Sequence, residues 1–294
     1  MAEEAAPPAA KKKFRKFDCT VAKVFKETHD TVSLLLATGE EKDYKAGQFV
    51  SIDPAQFPAL ARWARYLEKL KGRKEPPRMY SLGSAPYEDH LIVTIKEEEY
   101  FPDEHEFPPL FSPHVVHGIR EGERVSVMGY AGQYFLTDDI DSKTDHVVHI
   151  CSGSGIVPNY GMVKQALHDG CKVRHTLIDG NKTLADVIYY KQFAELAAKH
   201  PDRFKVIHAI SREDNPEQHG PNFRKGRVTE ALIREFVPDP KSALYFCCGA
   251  AVTAWEKKRH KALGTEPKPK FMDSLMPTLE AMGVPKERIH KESW

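Results

Sequence analysis

Arg78-Met79-Tyr80-Ser81-Leu82-Gly83-Ser84-Ala85-Pro86 is the stretch on which the reading of this chain turns. It lies between a proline-flanked polar segment and Leu91-Ile92-Val93-Thr94-Ile95-Lys96, a run rich in β-branched residues that reads as a strand. Side chains alternate along a strand, so Arg78 and Tyr80 share one face and Ser81 takes the other. A flat, anionic cofactor needs such a set: a guanidinium for phosphate, a ring for stacking and a hydroxyl for a hydrogen bond. Alone, the pattern also fits an edge strand ending in a turn. The flanking chain decides between the two.

On either side of this stretch the signals are strand-like. Thr20–Val24, Thr31–Leu36, Lys45–Ile52, Leu91–Lys96 and Glu123–Met128 are short runs separated by turns, several of which contain glycine, and they predict a small antiparallel barrel. A segment over 54–77 interrupts the pattern. There Ala59, Leu60, Trp63, Tyr66, Leu67 and Leu70 recur at helical spacing, with Pro58 near the start. The expectation is a helix that lays this apolar stripe on the barrel. Its other face carries Arg62, Arg65 and Lys69, followed by Lys71, Arg73 and Lys74. That basic run over 62–74 is either the solvated side of a lid or a docking surface; a membrane-surface helix fits a short segment bounded by prolines less well. Further on, Glu97–Glu106 forms an acidic loop, and Ser112-Pro113 is a helix start with Ser112 as N-cap, before a short helix over His114–Ile119. A helix N-terminus there offers N–H groups to phosphate.

The period then changes. His146–Cys151, Lys172–Ile178, Phe204–Ile210 and Ala243–Cys247 read as buried strands. Between and after them lie helical segments: one running to His168, then Lys182–His200, Val228–Phe236 and Met272–Met282. Strand alternating with helix predicts a parallel sheet with crossovers. The chain therefore divides into a tail over 1–16, a β-barrel over 17–140 with its helical insertion over 54–77, and an α/β domain over 141–294. The tail is rich in Ala, Pro and Lys and is expected to be disordered.

Composition bounds the rest. A length of 294 residues with 41% hydrophobic and 29% charged side chains suits two domains with sizeable cores. No apolar run approaches the ~20 residues needed to span a bilayer. A net charge of +1 argues against a globally basic nucleic-acid binder. The five cysteines form neither a disulfide framework nor a C-x-x-C site, which fits a reducing cytoplasm. His114-x-x-His117 and His146-x-x-His149 lack a cysteine or clear carboxylate partner, so no metal is assigned.

Ser152-Gly153-Ser154-Gly155-Ile156-Val157-Pro158 joins a strand to a helix, where parallel sheets bind anionic ligands. Its glycines allow close approach by a pyrophosphate, although the spacing is not G-x-G-x-x-G. With R-x-Y-S on a barrel upstream, this G-x-G-I-x-P turn resembles the ferredoxin–NADP(+) reductase family, plant-type and bacterial. Gly129-Tyr130-Ala131-Gly132-Gln133-Tyr134 is similar to its G-P-x-G-x-F turn, with Tyr130 replacing the proline. Cys248-Gly249 after the last parallel strand, Ser211-Arg212 at the end of another and the closing Glu292-Ser293-Trp294 also match in order.

The resemblance implies FAD and NADP(H) as cofactors, with hydride passing between nicotinamide and flavin. It implies single-electron exchange with ferredoxin or flavodoxin, an acidic carrier suited to the basic insertion. Arg78 would pair with the flavin pyrophosphate, Tyr80 stack on the flavin ring and Ser81 hydrogen-bond its N5. Phe111 and Ser112 would offer backbone amides to the FAD phosphates, and Tyr100 would stack on adenine. Ser152, Gly153, Gly155, Ile156 and Pro158 would hold the dinucleotide phosphates. Cys248 and Gly249 would lie at the nicotinamide, Glu292 would move protons with Ser81, and Trp294 would cover the flavin face that nicotinamide must occupy. Ser211, Arg212, Lys225 and Arg227 fall where the family binds the 2′-phosphate of NADP. Two alternatives stay open: an NADH-dependent reductase component of a multicomponent oxygenase, and a non-catalytic subunit of the same fold.

Overall fold

Alternation builds the first sheet. In a computed structural model, which describes residues 15–102 and 105–294, β1 (Arg15–Thr28) turns Phe17, Cys19 and Val21 inward and their neighbours outward. The expected tail over residues 1–14, and Asp103 and Glu104 of the acidic loop, lie outside the described residues. Arg15 and Lys16, expected within the tail, instead begin β1, where they pair with Gly129 and Met128. Backbone pairing at an end needs no apolar side chain.

The other strands are β2 (Thr31–Ala37), β3 (Phe49–Ile52), β4 (Arg78–Ser81), β5 (Leu91–Lys96) and β6 (Arg124–Ala131). They form an antiparallel sheet in the order β4-β3-β6-β1-β2-β5. A bridge between Leu82 and Val93, with Gly83 N–H donating to the Ile92 carbonyl at 2.8 Å, ties the two ends into a near-barrel. Val21, Leu36, Val50, Ile52, Leu91, Val93 and Ile95 fill it with no exposure.

The insertion is helical, but its buried face differs from the expected stripe. After two short 3-10 turns, α1 (Ala61–Lys71) packs through Leu60, Ala64 and Leu67. Trp63, Tyr66 and Leu70 are 60%, 54% and 54% exposed. At 3.6 residues per turn, the apolar residues spread over an arc wider than the barrel covers. The short helix α2 (Ser112–Gly118) starts one residue earlier than expected, with Phe111 as N-cap; the Ser112 hydroxyl instead accepts from Glu98 N–H at 3.1 Å.

Beyond α3 (Ile140–Lys143), six parallel strands form the second sheet: β7 (His146–Ser152), β8 (Arg174–Asn181), β9 (Phe204–Ile210), β10 (Phe223–Lys225), β11 (Leu244–Gly249) and β12 (Ile289–Ser293). Their order is β10-β9-β8-β7-β11-β12. Against one face pack α4 (Ile156–His168) and α5 (Tyr190–Lys199), through Tyr160, Val163 and Phe193. Against the other pack α6 (Glu230–Phe236) and α8 (Phe271–Ala281), through Ile233, Met272, Leu275 and Leu279. A further helix, α7 (Ala254–Leu263), begins on a Thr253–Glu256 capping box. The helix expected from Lys182 is shorter: residues 182–189 carry a 3-10 turn capped by Thr183 and Asp186, and α5 begins at Tyr190.

The sheets meet through polar contacts. The Tyr189 hydroxyl bonds Thr94 Oγ1, Tyr134 OH donates to Asn159 Oδ1 at 3.1 Å, and Lys164 pairs with Glu88. Among the described residues, no helix is long and apolar enough to cross a membrane.

Candidate active site

Strand β4 reaches the junction of the two sheets because β3 holds it in register, with Val50 opposite Tyr80 and Phe49 opposite Ser81. The Arg78 guanidinium donates through Nη2 to Glu75 Oε2 at 2.7 Å and through Nη1 to the Pro76 carbonyl at 2.6 Å. Tyr80 packs its ring against Phe111, centroids 5.8 Å apart, and burial pushes its phenol well above the ordinary range. Ser81 Oγ donates to Glu292 Oε2 at 3.2 Å. This bond joins the barrel to the parallel sheet.

Glu292 arrives on β12, which pairs in parallel with β11 so that Glu292 lies opposite Cys248 and Ser293 opposite Gly249. Burial raises the Glu292 carboxyl above the usual carboxylate range, and the Ser81 hydrogen bond pulls it part of the way back. Burial, reinforced by the Glu292 charge, pushes the Cys248 thiol well up, so it stands as neutral S–H. Cys247 faces the opposite core. The Trp294 carbonyl accepts from Ala251 N–H at 3.0 Å, while its side chain is 51% exposed.

The loop between β7 and α4 packs directly on this strand end. A Cβ on Gly155 would lie 2.2 Å from the Cys248 carbonyl oxygen, so only glycine fits. Gly153 has φ +52°, and a Cβ there would meet nothing within 4 Å: the backbone faces open space at the start of α4. Ile156 and Pro158 point into the core and shape the turn from behind.

A cavity of about 440 Å³ opens at the carboxyl ends of β7, β8 and β9, the usual binding edge of a parallel sheet. It gathers Ser152, Gly153, Ser211, Arg227 and Trp294 from the expected residues. Arg212 and Lys225 are not in its wall; Arg212 is exposed, and Lys225 lies 3.8 Å from Asp214. Glu213 turns away, accepting from Leu184 N–H and pairing with His219. Sequence reasoning missed Lys96, Lys182, Asp186 and Phe271, which share the wall. The position of Lys182 just past a strand end was the available signal. Tyr100 sits in the exposed loop after β5, near His105, while Phe111 is buried at the start of α2. The histidine pairs make local bonds: His146 to Thr176, His149 to Asn159 and His175, and His117 to Glu97.

Residues 149–254 match the family model of the oxidoreductase NAD-binding domain. An NADH-cytochrome b5 reductase 2 of Botryotinia fuckeliana is 26% identical over 268 residues, covering 88% of this chain and 72% of that protein. One from Aspergillus clavatus is 31% identical over 182 residues, covering 60% and 52%. The chain spans about half the length of most of these curated relatives. Among solved structures, the FAD/NAD-binding domain of nitric oxide dioxygenase from Vibrio cholerae superposes with a TM-score of 0.68 at 19% identity, covering 94% of this chain and 98% of that one. Ferredoxin-NADP+ reductase from Plasmodium falciparum gives 0.62 at 14%, covering 95% and 96%. Most of these curated relatives carry the cytochrome b5 reductase name and one is a nitrate reductase, so the resemblance to plant-type reductases holds at the level of fold. This chain has the two-domain, ferredoxin-reductase-like fold of FAD/NAD-binding oxidoreductases.

Proposed function

We propose that the chain is an FAD-dependent oxidoreductase that takes electrons from a nicotinamide dinucleotide and delivers them singly to an acidic carrier protein. The observation that carries this reading is the Ser81–Glu292 hydrogen bond, which sets the R-x-Y-S strand against Cys248, with Trp294 in the wall of the nucleotide cavity. The residues suit the cofactors: Arg78, Tyr80 and Ser81 on one strand for the flavin and its pyrophosphate, the Phe111 and Ser112 amides for the FAD phosphates, and Tyr100 for adenine. The open backbone at Gly153, the close-packed Gly155 and the α4 N-terminus suit the dinucleotide phosphates. Bound flavin supplies the conversion between hydride and single-electron chemistry. Ser81 and Glu292 hold a proton between hydroxyl and carboxyl, Cys248 and Gly249 bound the reacting edge, and Trp294 excludes water until the nucleotide displaces it.

NADPH is supported by Lys182, Ser211 and Arg227 in the same wall. The second reading, NADH, is supported by Asp186 in that wall and by the relatives, which are named as NADH enzymes. The carrier, a ferredoxin or flavodoxin, docks on the basic run over 62–74, where the exposed Trp63 and Tyr66 supply an apolar centre. A cytochrome b5-like or oxygenase acceptor is the matching alternative under the NADH reading. The free thiols of all five cysteines accord with a reducing, cytoplasmic setting.

The test is an anaerobic titration of the purified protein with each nucleotide. A flavin spectrum bleached by one of them is expected, followed by reduction of an added acceptor. A protein that binds flavin but is bleached by neither nucleotide is a non-catalytic subunit, and the proposal fails.

A further inference from the structure

The inserted segment ends on a buried carboxylate that touches the R-x-Y-S arginine. The Glu75 side chain is 1% exposed, and its oxygens divide between two cations: Oε1 takes Lys71 Nζ and Oε2 takes Arg78 Nη2. Its backbone N–H donates to Glu68 Oε1 at 3.2 Å, and Lys71 lies over the Phe107 ring, 4.7 Å from its centroid. Burial raises the Glu75 carboxyl, but Lys71 and Arg78 outweigh it and hold it below the usual range, so it is an anion.

An anion beside an arginine destined for phosphate is electrostatically adverse. Lys71 and Arg78 are positive and Glu75 negative, so the trio keeps one positive charge. What the carboxylate contributes is direction. With Nη2 on Glu75 and Nη1 on the Pro76 carbonyl, two of the five N–H donors are used. The guanidinium plane is fixed before any ligand arrives, which removes the ordering cost of a long side chain.

We propose that Glu75 is a positioning residue for FAD: it braces Arg78 so that the remaining N–H donors meet the flavin pyrophosphate. This rests on the reading of the chain as FAD-dependent. Because the brace comes from the insertion, α1 and the segment after it serve the cofactor as well as the carrier.

The sign of one substitution separates orientation from charge. Glu75→Gln adds one net positive charge, yet leaves a single acceptor oxygen for two cations. Apoprotein freed of flavin is titrated with FAD, following fluorescence, and its unfolding midpoint is measured in parallel. If Glu75 orients Arg78, Glu75→Gln raises the FAD Kd roughly tenfold, as expected for a lost charge-assisted bond, and Arg78→Gln abolishes that difference in the double variant. Equal or tighter FAD binding by Glu75→Gln overturns the brace, as does the same loss in the Arg78→Gln background. Should Glu75→Gln fail to fold, Glu75→Asp, which keeps the charge but shortens the reach, takes its place: weaker FAD binding supports orientation, and wild-type affinity overturns it. A wild-type apoprotein that takes up no FAD overturns the parent reading instead.

Discussion

Glu292 is half-buried, bonded to Ser81 and opposite Cys248, and its carboxyl is raised by burial. A raised value keeps the protonated form to higher pH than an ordinary glutamate. If the reaction uses that proton, the rate falls as pH rises through the raised value. Glu292→Gln should flatten that limb and lower turnover by roughly 10²-fold, the scale of general acid–base catalysis, measured as the pH profile of kcat. Retention of the wild-type limb would remove Glu292 from the proton path. The placement of Arg78, Tyr80 and Ser81 on one short strand was legible from the strand-like signals that flank them. Glu292 was placed only through family resemblance, since Ile-His-Lys-Glu-Ser shows no apolar strand pattern. Glu75 gave no signal at all, being a lone carboxylate in a lysine- and proline-rich stretch. Its pairing with Arg78 forms only when the chain folds back on that strand.

At the scale of elements, periodicity read well where one face is buried and poorly where an element lies at an edge. The strands of both cores were evident, but β10 and β12, at the two edges of the parallel sheet, were not. In α1 the spacing gave the helix but not the contact: it could not tell that the barrel takes Leu60, Ala64 and Leu67 and leaves Trp63, Tyr66 and Leu70 outside. That exposed arc beside Arg62, Arg65 and Lys69 carries the docking prediction. Reversing the three charges should slow carrier reduction by roughly tenfold or more at low salt and little at high salt, because steering is screened. Stopped-flow rates across ionic strength measure this. Wild-type rates at low salt would leave α1 as a lid and a brace only.

Across the whole molecule, stability is tied to pH through buried imidazoles. Burial lowers His146 and His149 to about 4, and His175 goes well below its ordinary value. The folded form keeps them neutral, while the unfolded chain binds protons near 6.5. The stability they allow is therefore fully present above about 6.5 and is lost as pH falls toward 4. At 1.36 kcal/mol per pKa unit the loss is on the order of 3 kcal/mol for fully buried His149. Unfolding midpoints should fall through that window, and His149→Gln should make the fall shallower; an unchanged pH dependence would remove His149 as its source. The contact between Ser81 and Glu292 has a different consequence. It spans 211 positions and needs the barrel, the parallel sheet and the edge strand β12 together. Contacts of such sequence separation close only after their supporting elements are in place. The Ser81–Glu292 contact is therefore expected late in assembly, and a half-folded chain that already holds the R-x-Y-S strand would lack the pairing on which the proposed chemistry depends.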